Sequence, residues 1–129
     1  GEIRKSRSTQ NPELVYPING WELKAGDKCE LGSQLRPHIV WFGEMVPAMD
    51  IAQEISATAD IFLIIGTSLN VYPAAGLVHS TRDDCPVYLI DPNEVTNPGI
   101  SNLIFIKEPA GKGVPALVEK LLTGELQHG

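Results

Sequence analysis

The longest run of large apolar residues in the chain extends from Ile61 to Ile65 and stops at Gly66. Five such residues without polar alternation are typical of a strand buried on both faces, as in a parallel sheet covered by helices. A glycine at the end of such a strand allows a sharp turn and a close approach to a ligand. Thr67 and Ser68 follow, and Pro73 suits a first helical position. The segment therefore predicts a strand, a ligand-facing turn and a helix.

Strand and helix patterns alternate from Pro37 onward. The predicted strands cover residues 38–44, 60–65, 86–93 and 102–107, and the predicted helices cover residues 48–57, 72–82 and 114–122. The first helix has an apolar face formed by Ile51, Ala52 and Ile55, and Gly124 ends the last helix. This alternation is typical of βαβ units with right-handed crossovers. We therefore predict an α/β domain with a parallel sheet.

Residues 1–36 are polar and rich in turn-forming pairs such as Asn11-Pro12 and Asn19-Gly20. Such pairs predict short strands or loops rather than helices. The basic residues Arg4, Lys5 and Arg7 are read as a solvated end of the chain, although they could touch a phosphate. We divide the chain into an irregular small segment (residues 1–36), an α/β portion (37–124) and a tail (125–129).

The composition is that of one small globular domain. The 129 residues include 10 basic and 16 acidic side chains, which give a net charge of −6. This charge argues against nonspecific binding to nucleic acid or to an anionic membrane. No apolar run approaches the ~20 residues of a membrane helix and no secretory leader is recognised, so we expect a cytoplasmic protein. Cys29 and Cys85 lie far apart in sequence and are expected to be reduced thiols.

Ligands of open α/β sheets bind beyond the carboxyl ends of the strands. Three groups of residues are predicted there: Gly66-Thr67-Ser68, Asp91-Pro92-Asn93 and Ala110-Gly111-Lys112. Backbone N–H groups and hydroxyls at a helix start suit phosphate oxygens, an Asp or Asn suits ribose hydroxyls, and a small Ala-Gly pair leaves room for adenine. One such turn is weak evidence, because many turns that bind nothing look the same. The three together predict a nucleotide site.

The sequence contains little that predicts catalysis. His38 and His79 have no nucleophile or carboxylate in a triad-like spacing, and His128 lies in the tail, so we read them as structural or surface residues. Cys29 has no second thiol in a C-x-x-C spacing, and a zinc site built by this chain is not expected. The strand that ends at Gly43 and Glu44 is expected to leave the backbone groups of these two residues free, so that it could add a peptide as an extra strand.

Three long segments are distinctive when taken together: Leu35–Glu44, Ala59–Ser68 with Val71–Ala75, and Gly113–Leu122. They resemble the second half of a sirtuin, an NAD-dependent protein-lysine deacylase. The sequence motifs RPHIVWFGE and VYPAAG are most similar to those of the bacterial and mitochondrial-type desuccinylase and deacetylase branch. The resemblance covers nearly the whole chain. It implies part of a Rossmann-like, doubly wound parallel sheet, preceded by a remnant of a small zinc-type subdomain.

The resemblance also implies roles for individual residues. NAD would be bound by Gly66, Thr67 and Ser68 at its phosphates and ribose, by Asp91 or Asn93 at the adenosine ribose, and by Ala110 and Gly111 against adenine. An acyl-lysine peptide would lie as a strand between Gly43 and Glu44 on one side and Asn70, Val71 and Tyr72 on the other, with Val40 and Phe42 lining the acyl-lysine tunnel. Sirtuins usually carry an Asn at the position of Asp91.

Several sirtuin features have no counterpart in this sequence. The glycine-rich Gly-Ala-Gly-Ile-Ser loop, the Arg of a mobile cofactor loop and a Gln-Asn-x-Asp strand are absent, and the catalytic His is expected just before Gly1. We therefore expect negligible deacylase activity from the isolated chain. Of the four zinc cysteines of the family only Cys29 remains, with Ser8, Asn11 and Gly32 near the other positions. No zinc is expected, and the first segment is expected to be held by turns alone or partly disordered.

The resemblance finally implies an incomplete sheet. In the strand order 3-2-1-4-5-6, residues 39–42 would form the third strand, and the two strands between it and the fourth are missing. An unpaired edge favours association. We expect that the third strand pairs directly with the fourth, or that the chain forms a homo-oligomer by strand exchange or edge pairing.

Two other functions are compatible with the same pattern. The chain could be a noncatalytic module that binds a nucleotide or ADP-ribose, or an oligomerising domain. An unrelated flavodoxin-like enzyme is disfavoured, because the sequence has no constellation of acid, base and nucleophile.

Overall fold

The computed structural model describes residues 1–96 and 99–125. Its backbone forms two compact units, Gly1–Val46 and Pro47–Gly129, each with its own three-stranded sheet. The division between the units falls beyond the boundary that the sequence predicts at residue 36. Apart from Glu125, the predicted tail, which includes His128, lies outside the described residues. None of the helices in the described ranges is both long and apolar enough to span a bilayer.

The first unit is an antiparallel sheet with the strand order β2-β1-β3. Its strands are β1 (Glu2–Ser8), β2 (Val15–Pro17) and β3 (Leu35–His38). The buried positions near the carboxyl end of β1 are Ser6 and Ser8. The expectation that this segment is held by turns alone is therefore wrong. The alternation of β1 is carried by small hydroxyl residues, and a hydropathy pattern does not detect it.

Residues 39–44 form a turn instead of the predicted strand. β3 ends at His38 and pairs with β1, and among the described residues β4 pairs only with β5. The expected pairing of a third strand with the fourth is therefore wrong. Gly43 has a φ of +83°, and the N–H of Glu44 donates to the carbonyl of Trp41 (3.1 Å). Trp41 and Phe42, which made the run look like a buried strand, are 51% and 91% exposed.

The second unit contains the predicted parallel sheet. Its strands are β4 (Phe62–Ile65), β5 (Val87–Ile90) and β6 (Leu103–Ile106), in the order β4-β5-β6. β5 is central, and all four of its residues are buried. A strand in this position has no solvent-facing side, which explains why its sequence lacks polar alternation. The predicted α/β class is confirmed, and so is the order of these three strands.

The described part of this unit also contains three helices: α1 (Met49–Ala57) before β4, a 3₁₀ helix (Ala74–Ser80) between β4 and β5, and α2 (Ala110–Thr123) after β6. The helix predicted at 72–82 is thus a shorter 3₁₀ helix, and Gly76 in its middle weakens the α-helical alternative. α2 begins before the predicted Val114, and Gly124 ends it with a φ of +69°. The first turn of α2 therefore contains residues 110–113, which lie before the predicted helix.

Apolar side chains of the second unit remain exposed on α1 and on β4. In α1, which packs against the 3₁₀ helix, Ile51 and Ile55 are 60% and 66% exposed. The helix is confirmed, but its apolar face is largely uncovered. Leu63 and Ile65 of the edge strand β4 are also partly exposed. The sheet is thus well covered around β5 and open at β4.

The core lies on both faces of β5. On one face Val87 and Leu89 pack with Ile64 and Val78, and on the other Tyr88 and Ile90 pack with Leu117 of α2. Gly113 allows this second contact, because a Cβ atom added there would lie 2.7 Å from Cγ2 of Ile90 and 3.2 Å from Cβ of Glu108. The glycine therefore sets how closely α2 approaches the sheet.

Gly113→Ala should lower the free energy of unfolding by about 1–3 kcal/mol, because the new methyl group must displace Ile90 or α2 itself. Gly111→Ala is the matched control in the same helix, because a Cβ there meets no atom within 4 Å. Alanine is the better helix former, so this control should be neutral or stabilising by up to ~1 kcal/mol. Chemical denaturation followed by circular dichroism measures both values. Equal stabilities for the two variants would contradict the proposed close approach.

Candidate functional site

The loops after the three parallel strands leave the sheet at one edge. The register pairs Ile65 with Ile90 and Ile90 with Ile106, so the strands end at the same level. The predicted cofactor residues follow these ends: Gly66, Thr67, Ser68, Asp91, Asn93, Ala110 and Gly111. The structure thus places them along the carboxyl edge of the sheet, where open α/β folds bind ligands. Their binding role stays a prediction.

The turn after β4 is held by its own side chains. The N–H of Gly66, which has a φ of +65°, donates to the carbonyl of Ile90 (2.9 Å). Oγ1 of Thr67 accepts the N–H of Leu69 (3.2 Å), and Oγ of Ser68 accepts from Nδ2 of Asn70 (3.1 Å). Each hydroxyl keeps its hydrogen as a donor. The turn is therefore shaped in advance, and its two hydroxyls can still donate to a phosphate oxygen.

Asp91 is buried at the end of β5, with 8% of its surface exposed. Its Oδ1 accepts the N–H of Asn93 (2.8 Å), and its own N–H donates to the carbonyl of Ile106 (3.3 Å). The side chain closes an Asx turn, which fixes the direction of the chain as it leaves the sheet. Asn93 is exposed in the same turn. The two alternatives for the ribose contact thus belong to one hydrogen-bonded unit.

The start of α2 lies at the same edge. Ala110 and Gly111 form its first turn and not the predicted loop, and the N–H groups of Lys112 and Gly113 donate to the carbonyl of Pro109 (2.9 Å each). The first N–H groups of a helix have no partner within the helix. A Cβ on Gly111 would find open space, so a flat group could approach the backbone there. The geometry is compatible with the predicted adenine contact.

The predicted substrate residues of the second unit are Asn70, Val71 and Tyr72, which lie between the β4 turn and the 3₁₀ helix. Val71 is 53% exposed and Tyr72 is 68% exposed. Beside them is an apolar pocket of about 250 Å³, lined by residues 62–65 of β4 and by residues of the segment 67–78. This pocket adjoins the open edge of β4.

Glu44 organises the loop of residues 39–44 in the first unit. Its Oε1 and Oε2 accept from Nη1 and Nη2 of Arg36 (2.5 and 3.0 Å), and Oε2 also accepts the N–H of Trp41 (3.0 Å). Nη2 of Arg7 lies 3.7 Å from Oε2, and the guanidinium of Arg36 lies 4.2 Å from the centre of the Trp41 ring. The carboxylate and the N–H of Glu44 therefore already have partners within the first unit. The expectation that the backbone of Glu44 is free for a peptide is wrong for its N–H.

These contacts lower the pKa of Glu44 from an ordinary value of 4.5 to about 2. The hydrogen bonds from Arg36 contribute most and the N–H of Trp41 comes next, and the same ion pair raises the pKa of Arg36. Because the folded pKa lies below the unfolded one, the stabilisation is fully present above about pH 4.5 and is lost as the pH falls towards 2. The loop is thus fixed throughout the neutral range.

Sequence reasoning missed Arg7 and Arg36 as partners of Glu44. Arg7 was assigned to a solvated end, but its side chain is only 17% exposed. The register pairs Arg7 with Arg36 on neighbouring strands, which places both cations beside one carboxylate. The sequence carried no signal for this contact, because the pairing of the two strands is known only from the structure. In the same loop Val40 is 37% exposed and Phe42 is 91% exposed, so both predicted tunnel residues are accessible.

The chain is similar in sequence and in fold to known proteins. Residues 4–73 match the Sir2 family. The chain is 45% identical over 127 residues to an NAD-dependent protein deacylase of Bacteroides thetaiotaomicron, covering 95% of this chain and 54% of that protein. A deacylase of Helicobacter pylori is 42% identical over 124 residues, with 95% of this chain and 53% of that protein covered.

Solved structures agree with these relatives. A Sir2 homologue in complex with NAD superposes with a TM-score of 0.77 at 30% identity, covering 96% of this chain and 50% of that one. A mutant Sir2 homologue in complex with ADP-ribose gives a TM-score of 0.77 at 29% identity, covering 100% of this chain and 53% of that one.

The parallel sheet with turns along its carboxyl edge defines a Rossmann-like fold, the class to which the NAD-bound homologue also belongs. The chain belongs to the Sir2 family, the family of the sirtuins. The bacterial relatives agree with the branch that the sequence motifs indicate. The chain spans about half the length of the curated relatives it matches.

The positions that the sirtuin resemblance assigns to zinc hold a different donor set in this chain. Of Ser8, Asn11, Cys29 and Gly32, only Cys29 offers a thiol, and Gly32 has no side chain. Oδ1 of Asn11 already accepts the N–H of Glu13 (3.1 Å). Across residues 1–96 and 99–125, no three His, Cys, Asp or Glu side chains cluster as a metal site requires. This donor set does not fit the tetrahedral nitrogen and sulfur coordination of structural zinc.

Glu44→Gln should destabilise the first unit at neutral pH and make its stability less dependent on pH between about 4.5 and 2, because the carboxylate with the lowered pKa is removed. Both tryptophans of the chain, Trp21 and Trp41, lie in the first unit, so their fluorescence reports its unfolding. Glu30→Gln is the matched control, since the Glu30 carboxylate is exposed. Acid titrations of the two variants that coincide would contradict the role of Glu44.

Proposed function

We propose that this chain is the part of a sirtuin-type NAD-dependent protein deacylase that supplies one wall of the NAD crevice and part of the acyl-lysine peptide clamp. The observation that carries the proposal is the arrangement of three turns, those at Gly66, Asp91 and Ala110, along one edge of the parallel sheet. Support comes from relatives named NAD-dependent protein deacylases and from a structural neighbour that holds NAD.

Each turn suits one part of the dinucleotide. The hydroxyls of Thr67 and Ser68 and the first N–H groups of α2 are donors for phosphate oxygens. The turn of Asp91 and Asn93 presents acceptors suited to ribose hydroxyls. The open space beside Gly111 admits a flat ring such as adenine. These groups would bind and orient the cofactor, which supplies the acyl acceptor of the reaction.

The peptide contact is proposed separately for the two units. In the first unit, the ion pair of Glu44 with Arg36 fixes the loop that carries Val40, Phe42 and Gly43, and Phe42 is accessible. In the second unit, Asn70, Val71 and Tyr72 form an accessible segment next to an apolar pocket. A fixed loop with exposed apolar side chains is suited to contact with an extended acyl-lysine peptide.

A second candidate function is supported by the open edge of β4. Leu63 and Ile65 on this strand are 38% and 43% exposed, and Ile61 next to it is 42% exposed. An apolar edge strand with unpaired backbone groups is a template for pairing with another strand. In this alternative the chain is an oligomerising or nucleotide-binding module without catalysis.

Calorimetric titration with ADP-ribose should show micromolar binding to the chain. Asp91→Ala should weaken it by about tenfold, equal to about 1.4 kcal/mol, because the Asx turn and an acceptor are lost. Asp91→Asn should retain it, because Oδ1 is kept and a negative charge next to a diphosphate is removed. Asp83→Asn, an exposed acidic residue before β5, is the matched control and should bind as the unmodified chain does.

No heat of binding up to millimolar ADP-ribose would argue against the proposed crevice. Together with a stable dimer in light scattering, that outcome would favour the oligomerising module. Equal weakening by Asp91→Ala and Asp83→Asn would argue against a specific ribose contact at Asp91.

The chain alone should release no nicotinamide from NAD above a no-protein control when an acyl-lysine peptide is supplied. His38 and His79, the two histidines among the described residues, do not follow the ends of the parallel strands where the cofactor is proposed to bind. A general base would have to be within hydrogen-bonding reach of the reacting ribose. Release at a rate that depends on the peptide would show that this chain carries catalytic groups of its own.

A further inference from the structure

Two tight turns of the first unit meet at Ser8 and Cys29. Ser8, the last residue of β1, is 2% exposed, and Cys29 is 7% exposed. Oγ of Ser8 and Sγ of Cys29 lie 3.4 Å apart, within hydrogen-bonding distance for sulfur. Two buried polar side chains thus join the turns directly.

The first turn is closed by hydrogen bonds to the side chain and the backbone of Ser8. Oγ of Ser8 accepts the N–H groups of Gln10 and Asn11, each at 3.2 Å, and the N–H of Ser8 donates to the carbonyl of Leu14 (3.0 Å). A hydroxyl oxygen has two acceptor lone pairs, and the two N–H groups fill them. Ser8 therefore has no lone pair left for a metal ion.

The second turn is closed by its backbone. The N–H of Cys29 donates to the carbonyl of Ser33, and the N–H of Gly32 donates to the carbonyl of Cys29, both at 2.9 Å. Gly32 has a φ of +77°, a conformation that favours glycine over residues with a side chain. A ligand side chain at position 32 would strain this turn. The turn is thus closed without a metal bond and is shaped for a residue that offers no ligand.

Gln34 supplies a second connection between the same segments. Its backbone carbonyl accepts the N–H of Thr9 (3.1 Å), and its side-chain Oε1 accepts the N–H of Gly26 (2.8 Å). Its Nε2 donates to the carbonyls of Lys24 and Asp27 (3.1 and 3.0 Å). One side-chain amide therefore organises the loop that precedes the Cys29 turn.

We propose that the Ser8–Cys29 contact and the hydrogen bonds of Gln34 replace the zinc ion of the family, so that the first unit folds and keeps its shape without a metal. The polar groups that a metal would otherwise join are satisfied by one another. A structural zinc ion contributes folding free energy, so a unit that depended on it would unfold in a chelator. The proposal concerns the first unit and does not rest on the NAD site.

The first test uses the full chain, purified under reducing conditions. Elemental analysis should find far less than one equivalent of zinc. Tryptophan fluorescence and the melting temperature should be the same with excess EDTA and with added zinc chloride, because no metal bond is made or broken. One equivalent of zinc, or a melting temperature that EDTA lowers, would overturn the proposal.

The second test is a set of variants at the contact. Ser8→Ala and Cys29→Ala should each lower the melting temperature by several degrees, and the double variant should lose less than the sum, because both remove one contact. Cys29→Ser keeps a hydroxyl partner and should stay close to the unmodified chain. Thr9→Ala, at an exposed position in the same turn, is the matched control.

These outcomes distinguish a hydrogen bond between Ser8 and Cys29 from a metal ion bound by Cys29. If Cys29→Ser unfolds the first unit as Cys29→Ala does, the sulfur is needed as a ligand and the proposal fails. Additive losses in the double variant would also overturn it, because they would show that Ser8 and Cys29 do not act together. If Ser8→Ala fails to fold, Cys29→Ser and the EDTA measurement still decide.

Discussion

The burial of β5 between β4 and β6 is the constraint on which the second unit depends. Val87, Leu89 and Ile90 are fully buried, and burying an aliphatic side chain of this size stabilises a fold by about 1.5–3 kcal/mol. Because the three strands are parallel and in register, the same pairing that builds the core aligns their carboxyl ends. The turns at Gly66 and Asp91 and the start of α2 therefore share an edge as a result of packing.

The first unit is stabilised in a different way. Its buried positions include Ser6, Ser8 and Ser33, and hydrogen bonds and ion pairs of Glu44 and Gln34 connect its segments. Small polar cores cost free energy unless every group has a partner. The first unit meets this condition at its turns, which side chains close, whereas Tyr16 Oη, Arg36 Nε and His38 Nδ1 are buried without a hydrogen-bond partner among the described residues. The second unit is thus stabilised mainly by apolar burial, and the first unit mainly by hydrogen bonds and ion pairs.

The sequence predicted the second unit well, because its strands are short apolar runs bounded by turn residues and its last helix ends at a glycine. It predicted the start of α2 poorly. Gly111 and Gly113 are weak helix formers, and Gly113 is needed at a place where α2 touches Ile90, which no local pattern reveals. The edge that carries the candidate site followed directly from the strand assignments.

The sequence predicted the first unit poorly for an equally physical reason. The run from Ile39 to Phe42 has the composition of a strand, but Arg7 and Arg36 hold Glu44 and fold the loop back. Such a contact joins residues far apart in sequence and leaves no periodic signal. The family motif marked the loop, while its conformation came only from the structure.

The open edge of β4 also affects how the chain behaves before it meets any partner. Among the described residues only β5 pairs with β4, and Leu63 and Ile65 are partly exposed. Extended apolar segments of this kind are what holdase chaperones bind and what initiates disordered precipitation. The open edge of this short strand therefore favours association between chains at high concentration, which the net charge of −6 opposes.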